Sequence, residues 1–339
     1  MNTNRCILAL VSIIFLLSAC RKSDDAAKNT KQLHPWYVYD YHHGRGFADI
    51  APVKDLLASI SVFGNPPQSF IDECHQNNIE IYLAVSGNES NIDTSEKIQE
   101  ITDKYVSDCN TKDYDGIDLD FEQLSPDFQA TYTLFLTMAA DKLHKAGKKL
   151  SHCVGYYPAL HQDNQAKIFY DAKALAATCD LVRVMCYDMY YAPGVDNPSL
   201  TDRDDCMGIG ATSTYPFTKE AMRYWLQRIP SEKLLMALPA YSNDYAVSDN
   251  IHGRQIYQST PDSLKGVLPP PRWLWYEQVN LYHYDGLDGC KHLFYAADAR
   301  STEALLSLAD ELKINKIGFW HLSSIAPEMW EKVAAWKKK

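Results

Sequence analysis

Residues 114–122 read YDGIDLDFE, and both the fold and the chemistry of the chain can be worked outward from them. Successive side chains on a β-strand point to opposite faces. Asp118, Asp120 and Glu122 therefore share one face, and Ile117, Leu119 and Phe121 share the other. Three carboxylates in a row repel one another, and each loses free energy on leaving water unless it is paired or protonated. Such a row is a solvated acidic edge, a cation site, or a device for acid–base chemistry.

The rest of the chain decides between these. Its 339 residues accommodate two ordinary domains or one (β/α)8 barrel, which typically needs ~250 residues. With 46% hydrophobic and 22% charged residues the composition is that of a folded chain rather than a disordered one. A net charge of −10 opposes binding to a nucleic-acid backbone. The 22 Tyr and 7 Trp exceed what a core needs, and stacking on the apolar faces of sugars is one use for the surplus.

Apolar runs rich in β-branched and aromatic residues recur at 36–41, 58–63, 79–85, 114–122, 149–156, 181–187, 233–241 and 316–322, each reading as a strand. Helical patterns fall between them, at 53–57, 70–77, 96–109, 172–178, 219–228 and 301–312, with a last one at 326–336. Ser125-Pro126 starts another as cap and first-turn proline, and Gly147 ends it. This alternation predicts parallel pairing through right-handed crossovers. A closed α/β barrel fits better than a doubly wound sheet, because no Gly-rich phosphate loop follows an early strand. The predicted fold is an α/β (β/α)8 TIM barrel over 35–336, with a small insertion at about 242–300 between strand seven and its helix.

Residues 1–19 read as an export signal, with Arg5 ahead of an apolar run at 7–17 that is too short to span a bilayer. Leu17-Ser18-Ala19-Cys20 resembles a bacterial lipobox, which implies lipidation of Cys20; a plain cleaved signal peptide is the other reading. Residues 20–34 then form a polar tether, and Ser23-Asp24-Asp25 resembles the surface-export tags of some bacterial lipoproteins. The expected location is the bacterial cell envelope, lipid-anchored in the outer membrane or at its surface. Beyond Cys6 and Cys20, the cysteines at 74, 109, 153, 179, 186, 206 and 290 have no C-x-x-C spacing, so no zinc or other metal site is expected. Buried free thiols are the preferred reading, with one or two disulfides as the alternative in an exported protein.

The spacing D-x-x-D-x-D-x-E, through Asp115, Asp118, Asp120 and Glu122, resembles the signature of glycoside hydrolase family 18, which includes chitinases and endo-β-N-acetylglucosaminidases. Other strand ends agree. Met185-Cys186-Tyr187-Asp188 resembles the family's M-x-Y-D, and Ala237-Leu238-Pro239-Ala240-Tyr241 its G-x-P-x-Y with Ala for Gly. Gly318-Phe319-Trp320 resembles the segment that supplies a Trp floor. One piece departs: Ala84-Val85-Ser86-Gly87 stands where the family has S-x-G-G. The resemblance covers about residues 35–335, and family members often carry a small α+β insertion where 242–300 lies.

The resemblance implies a retaining reaction in which the substrate's own N-acetyl group is the nucleophile. Glu122 would protonate the glycosidic oxygen. Asp120, roughly 7 Å from it at the backbone for a rise of ~3.3 Å per residue, would orient the acetamido nitrogen and stabilise its charge. Asp118, deeper, would share a proton with Asp120, because neighbouring carboxylates resist joint ionisation. Tyr187 would bond the acetamido oxygen, while Asp188, Trp320, Tyr241 and Met185 would contact substrate. Asp115 would set the strand entry. No cofactor is implied, and the expected partner of a monomeric chain is an N-acetylglucosamine glycan: a chitin oligomer, the N-glycan core or peptidoglycan. Segment 294–320 resembles bacterial members linked to cell-wall amino sugars. The rival readings are a non-catalytic, lectin-like surface lipoprotein on the same barrel, and an acidic cation-binding lipoprotein. His42-His43 lacks further ligands, Tyr284-Asp285-Gly286 reads as a hairpin turn, and residues 202–205 read as a solvated acidic loop.

Overall fold

The computed structural model describes residues 30–39, 45–122, 124–156, 168–192, 208–247, 251–257, 264 and 268–339. Parallel strands come first: β1 (Gln32–Leu33), β2 (Trp36–Val38), β3 (Ser59–Phe63), β4 (Glu80–Val85), β5 (Gly116–Leu119), β6 (Lys149–Val154), β7 (Leu181–Met185) and β8 (Leu234–Pro239). Then follow β9 (Ser242–Val247), β10 (Ile251–Ile256), β11 (Arg272–Leu274), β12 (Val279–Asp285) and β13 (Lys291–Ala296), and finally β14 (Lys316–Trp320).

Nine of these strands form one parallel, curled sheet in the order β1-β14-β8-β7-β6-β5-β4-β3-β2, so the fold is α/β. Its two end strands are nearly continuous in the chain, since only His34 and Pro35 separate β1 from β2. The sequence pattern starts this first strand at 36; Gln32 and Leu33 add a pairing with Lys316 and Ile317. Helices Gln68–Gln76, Ser95–Lys112, Gln129–Lys145, Ala172–Thr178, Tyr215–Leu226, Ala299–Leu312 and Pro327–Lys337 connect or follow the strands. The weak helix expected at 53–57 is a short α-turn, Phe47–Ile50, continued as 3-10 helix, Ala51–Leu56.

Alternation along the strands sorts side chains into two layers. Ile60, Val62, Ile117, Leu119, Val182, Val184, Met236, Leu238, Ile317 and Phe319 face the helices in one large apolar core. The opposite face carries Trp36, Cys153, Leu181, Leu235 and Ala237, together with the buried polar groups Ser59, Ser61, Asp118, Ser151 and Arg183. Both faces of a parallel sheet are normally apolar. Here polar groups lie within the inner one.

The acidic strand is shorter than its sequence pattern. β5 ends at Leu119, and the Asp120 amide makes one further bond to the Val85 carbonyl at 2.8 Å. Gly116 is needed at its start, because a Cβ there would lie 2.3 Å from the Lys149 carbonyl oxygen. Asp115 stays at the strand entry, accepting from the Ile81 amide at 2.8 Å and bonding His75.

Between β8 and helix Ala299–Leu312 lies a second, five-stranded antiparallel sheet, β10-β9-β13-β12-β11. Tyr284-Asp285-Gly286 ends one strand of its hairpin, and the Gly286 amide bonds the Cys290 carbonyl at 2.8 Å. The described cysteines at 74, 109, 153, 179, 186 and 290 are free. No helix of the described residues is long and apolar enough to cross a membrane. Cys20 and the rest of 1–29, His42-His43, residues 202–205 and Cys206 lie outside the described residues.

Candidate active site

The site is built where β5, β7, β8 and β14 end. Asp118 and Arg183 occupy its floor. Neither side chain is accessible, and Arg183 Nε lies 3.1 Å from Asp118 Oδ1. Trp36 Nε1 donates to Asp118 Oδ2 at 2.9 Å. The guanidinium also donates to Ser151 Oγ, to the His34 carbonyl and to Ser61 Oγ at 2.7–2.9 Å, and lies 5.0 Å from the Trp36 ring centroid. A fixed, always-charged fork is suited to serving so many acceptors at once.

Above this floor the row opens outward. Burial, and then the charges of Glu122 and Asp118, push the Asp120 carboxyl up to about 7 from an ordinary 3.8. Its Oδ1 is buried and has no hydrogen-bond partner among the described residues. Glu122 sits three residues past the end of β5, open to solvent yet walled by protein. Desolvation first and the Asp188 charge second raise its proton affinity. Asp118 is thus paired with Arg183, and its charge is one of those that raise the proton affinity of Asp120.

Gly87 helps hold this loop. A Cβ on it would stand 2.4 Å from the Phe121 ring, so the glycine makes room for the buried aromatic between Asp120 and Glu122.

Tyr187 and Asp188 follow β7. Tyr187 is 7% exposed, edge-on to Trp36 at 6.4 Å and to Tyr241 at 6.1 Å. Burial raises its phenol well above the usual range, with Cys153, Asp120, Asp188 and Glu122 adding to the effect. Asp188 has φ 57°, in the left-handed region that Asp tolerates better than most side chains. Its Oδ1 accepts from Tyr241 Oη at 2.5 Å and from Gln255 Nε2 at 3.1 Å. Burial raises its proton affinity, and those two donors oppose the rise. Trp320, at the end of β14, lies 6.0 Å from Trp36 and 5.5 Å from Phe63 between ring centroids. Met185 packs partly buried against the same aromatic cluster.

The structure thus gathers Asp118, Asp120, Glu122, Met185, Tyr187, Asp188, Tyr241 and Trp320 at one end of the sheet, and adds four residues that sequence reasoning does not single out for the site. Arg183 has a signal, a lone cation inside the apolar run LVRVM. Trp36 stands in the first strand, but nothing in its neighbours announces a bond to Asp118. Gln255 and Tyr257 come from β10 and the residue after it. Tyr257 Oη donates to Gln255 Oε1 at 3.1 Å, and its ring lies 5.6 Å from Tyr241. No local pattern marks these two.

The profile described as Glycosyl hydrolases family 18 matches residues 46–324. The Bacillus subtilis (strain 168) "Cortical fragment-lytic enzyme" is 22% identical over 234 residues, which is 68% of this chain and 51% of that protein. The match therefore spans about half of that relative's length. In structure, a chitinase from Chromobacterium violaceum ATCC 12472 aligns with a TM-score of 0.77 at 19% identity, covering 91% of this chain and 99% of that one. Human YKL-39, described as a pseudo-chitinase with retained chitooligosaccharide binding properties, aligns with a TM-score of 0.72 at 12% identity over 91% and 100% of the two chains. At these identities the likenesses establish a shared fold, and with the profile spanning 46–324 the chain belongs to Glycosyl hydrolases family 18.

Proposed function

We propose that the chain is a retaining glycosidase that cleaves β-1,4-linked N-acetylglucosamine glycans by substrate-assisted catalysis. The supporting observation is the graded acid row. Asp118 is neutralised by Arg183, Asp120 takes a proton near pH 7 and offers an unpartnered buried oxygen, and Glu122 stands at the solvent-facing end with raised proton affinity.

In this reading Glu122 gives its proton to the glycosidic oxygen as the leaving sugar departs. The acetamido oxygen of the sugar attacks the anomeric carbon and forms an oxazolinium ion. Asp120 accepts the acetamido N–H through Oδ1 and offsets the positive charge that develops there. Tyr187 donates to the acetamido oxygen and orients it. Trp320, with Trp36 behind it, forms the apolar floor under the ring, and Met185 lines the same wall. Asp188, held by Tyr241 and Gln255, adds its charge to the desolvation that raises the proton affinity of Glu122. Water then attacks the anomeric carbon from the face the leaving group vacated, that carbon's bond to the acetamido oxygen breaks, and Glu122 takes the proton released by the water.

We further propose that the sheet closes as a (β/α)8 barrel with β9–β13 as an insertion. Support comes from the adjacency of β1 and β2 in the chain and from Arg183, which bonds residues near both ends of the sheet. Residues 1–19 would be a lipoprotein signal and 20–34 the tether of a monomeric enzyme anchored through Cys20 in the bacterial outer membrane or at the cell surface. Candidate substrates are chitooligosaccharides, the N-glycan core and peptidoglycan. The lectin-like alternative is opposed by retention of both Asp120 and Glu122. The test is the anomeric form of the first product, read by proton NMR during cleavage of a chitooligosaccharide. The β-anomer appears first under this mechanism; initial α-anomer would overturn it.

A further inference from the structure

The acid row has an uncharged neighbour that the mechanism above does not use. In the parallel register Asp118 pairs with Ser151 and Leu119 with His152, and Asp120 and Cys153 are the next residues of the two segments. Its thiol is 2% exposed, and Sγ lies 3.9 Å from each Asp118 oxygen. Asp118 already has strong donors in Trp36 Nε1 and Arg183 Nε. The thiol is surplus to Asp118. Asp120, by contrast, has a buried oxygen with no partner among the described residues.

We propose that Cys153 is a positioning residue for the acid row: its one S–H proton points to Asp118 while Asp120 is neutral and turns to Asp120 when that carboxylate ionises, holding it aimed at substrate. No covalent bond forms or breaks; only the hydrogen bond changes acceptor. The charged and titratable groups facing the thiol are Asp118, Asp120, Glu122 and Arg183, with Tyr187 alongside. Burial, reinforced by the carboxylates and opposed by Arg183, raises the thiol well above its ordinary range, so it stays a neutral donor at working pH. As a donor beside Asp120, the thiol opposes the rise there. A serine could make this bond; valine fills the space without a donor, and alanine does neither.

The inference rests on the hydrolase reading for its catalytic meaning, but its physical core can be measured without turnover. Carboxyl carbon-13 NMR on the full-length protein, with the Asp120 signal assigned through Asp120→Asn, follows that group in wild type and in Cys153→Ser, Cys153→Val and Cys153→Ala. Loss of a hydrogen bond to the charged form raises a carboxyl midpoint, here by about 0.5 pH unit or more. The expected result is that rise in the Val and Ala variants and a wild-type midpoint in Ser. The acid limb of kcat should move upward in step, with KM little changed. Wild-type midpoints in both Val and Ala, or an equal rise in all three variants, would overturn the proposal. If the midpoints behave as expected while the wild type cleaves no N-acetylglucosamine glycan, the hydrolase reading fails and the thiol's hold on Asp120 stands.

Discussion

Arg183 Nε lies 3.1 Å from Asp118 Oδ1, and neither side chain reaches solvent. This pair anchors the inner end of the acid row, next to Asp120 and Glu122, whose proton affinities are raised. Removing one partner of a buried pair strands the other and typically costs about 3–5 kcal/mol. Arg183→Met should lose that much in urea unfolding. Arg183→Lys should recover only part of it, since one ammonium cannot reproduce the separate bonds to Ser151, Ser61 and the His34 carbonyl.

Asp120 makes stability depend on pH in a predictable direction. Its folded-state carboxyl titrates near 7 against an ordinary 3.8. Between those values the folded protein keeps a proton that the unfolded chain has released, so this group's contribution falls as pH rises through the window and levels off above it. Asp120→Asn removes the penalty. It should match the wild type near pH 3.5 and exceed it at pH 8 by up to ~4 kcal/mol, because each pH unit between the folded and unfolded midpoints corresponds to about 1.4 kcal/mol. Urea midpoints at the two pH values measure this directly.

Tyr241 and Gln255 act on Glu122 through Asp188. Both donate to Asp188 Oδ1 and favour its charged form, and that charge in turn raises Glu122. Tyr241→Phe should let Asp188 take up a proton more readily, which weakens its hold on Glu122 and lowers the pH at which Glu122, the proposed general acid, ionises. The alkaline limb of kcat should therefore move to lower pH. Gln255→Ala should do the same to a smaller extent, because its bond is longer.

Much of this arrangement is legible in the chain, and the remainder is hidden for identifiable reasons. Period-two alternation at 117–122 places Ile117 and Leu119 in the helix-facing core and Asp118 on the inner face, as the side-chain period requires. The strand itself stops at Leu119 rather than Glu122, since the pattern of side chains continues where pairing does not. The M-x-Y-D segment locates Tyr187 and Asp188, but not the left-handed turn that aims Asp188 at Tyr241.

Partners supplied by distant strands are the part that sequence does not reveal. Trp36 and Asp118 are 82 positions apart, and Arg183 reaches the His34 carbonyl across 149. Such bonds depend on how the sheet curls, which no local window contains. Gln255 reaches Asp188 only because β10 pairs with β9 and both lie against the site. The proline and aromatic runs of 242–300 do not encode that placement.

The central claim is that Glu122 is the proton donor of a glycosidase. It is tested by release of reducing ends from chitooligosaccharides, N-glycopeptides and peptidoglycan, comparing wild type with Glu122→Gln. The account predicts cleavage of at least one substrate by the wild type and a loss of at least ~100-fold in kcat in the variant, the usual contribution of a general acid. A wild type that binds a glycan tightly but cleaves none of the three, or a Glu122→Gln variant that turns over at the wild-type rate, would contradict it.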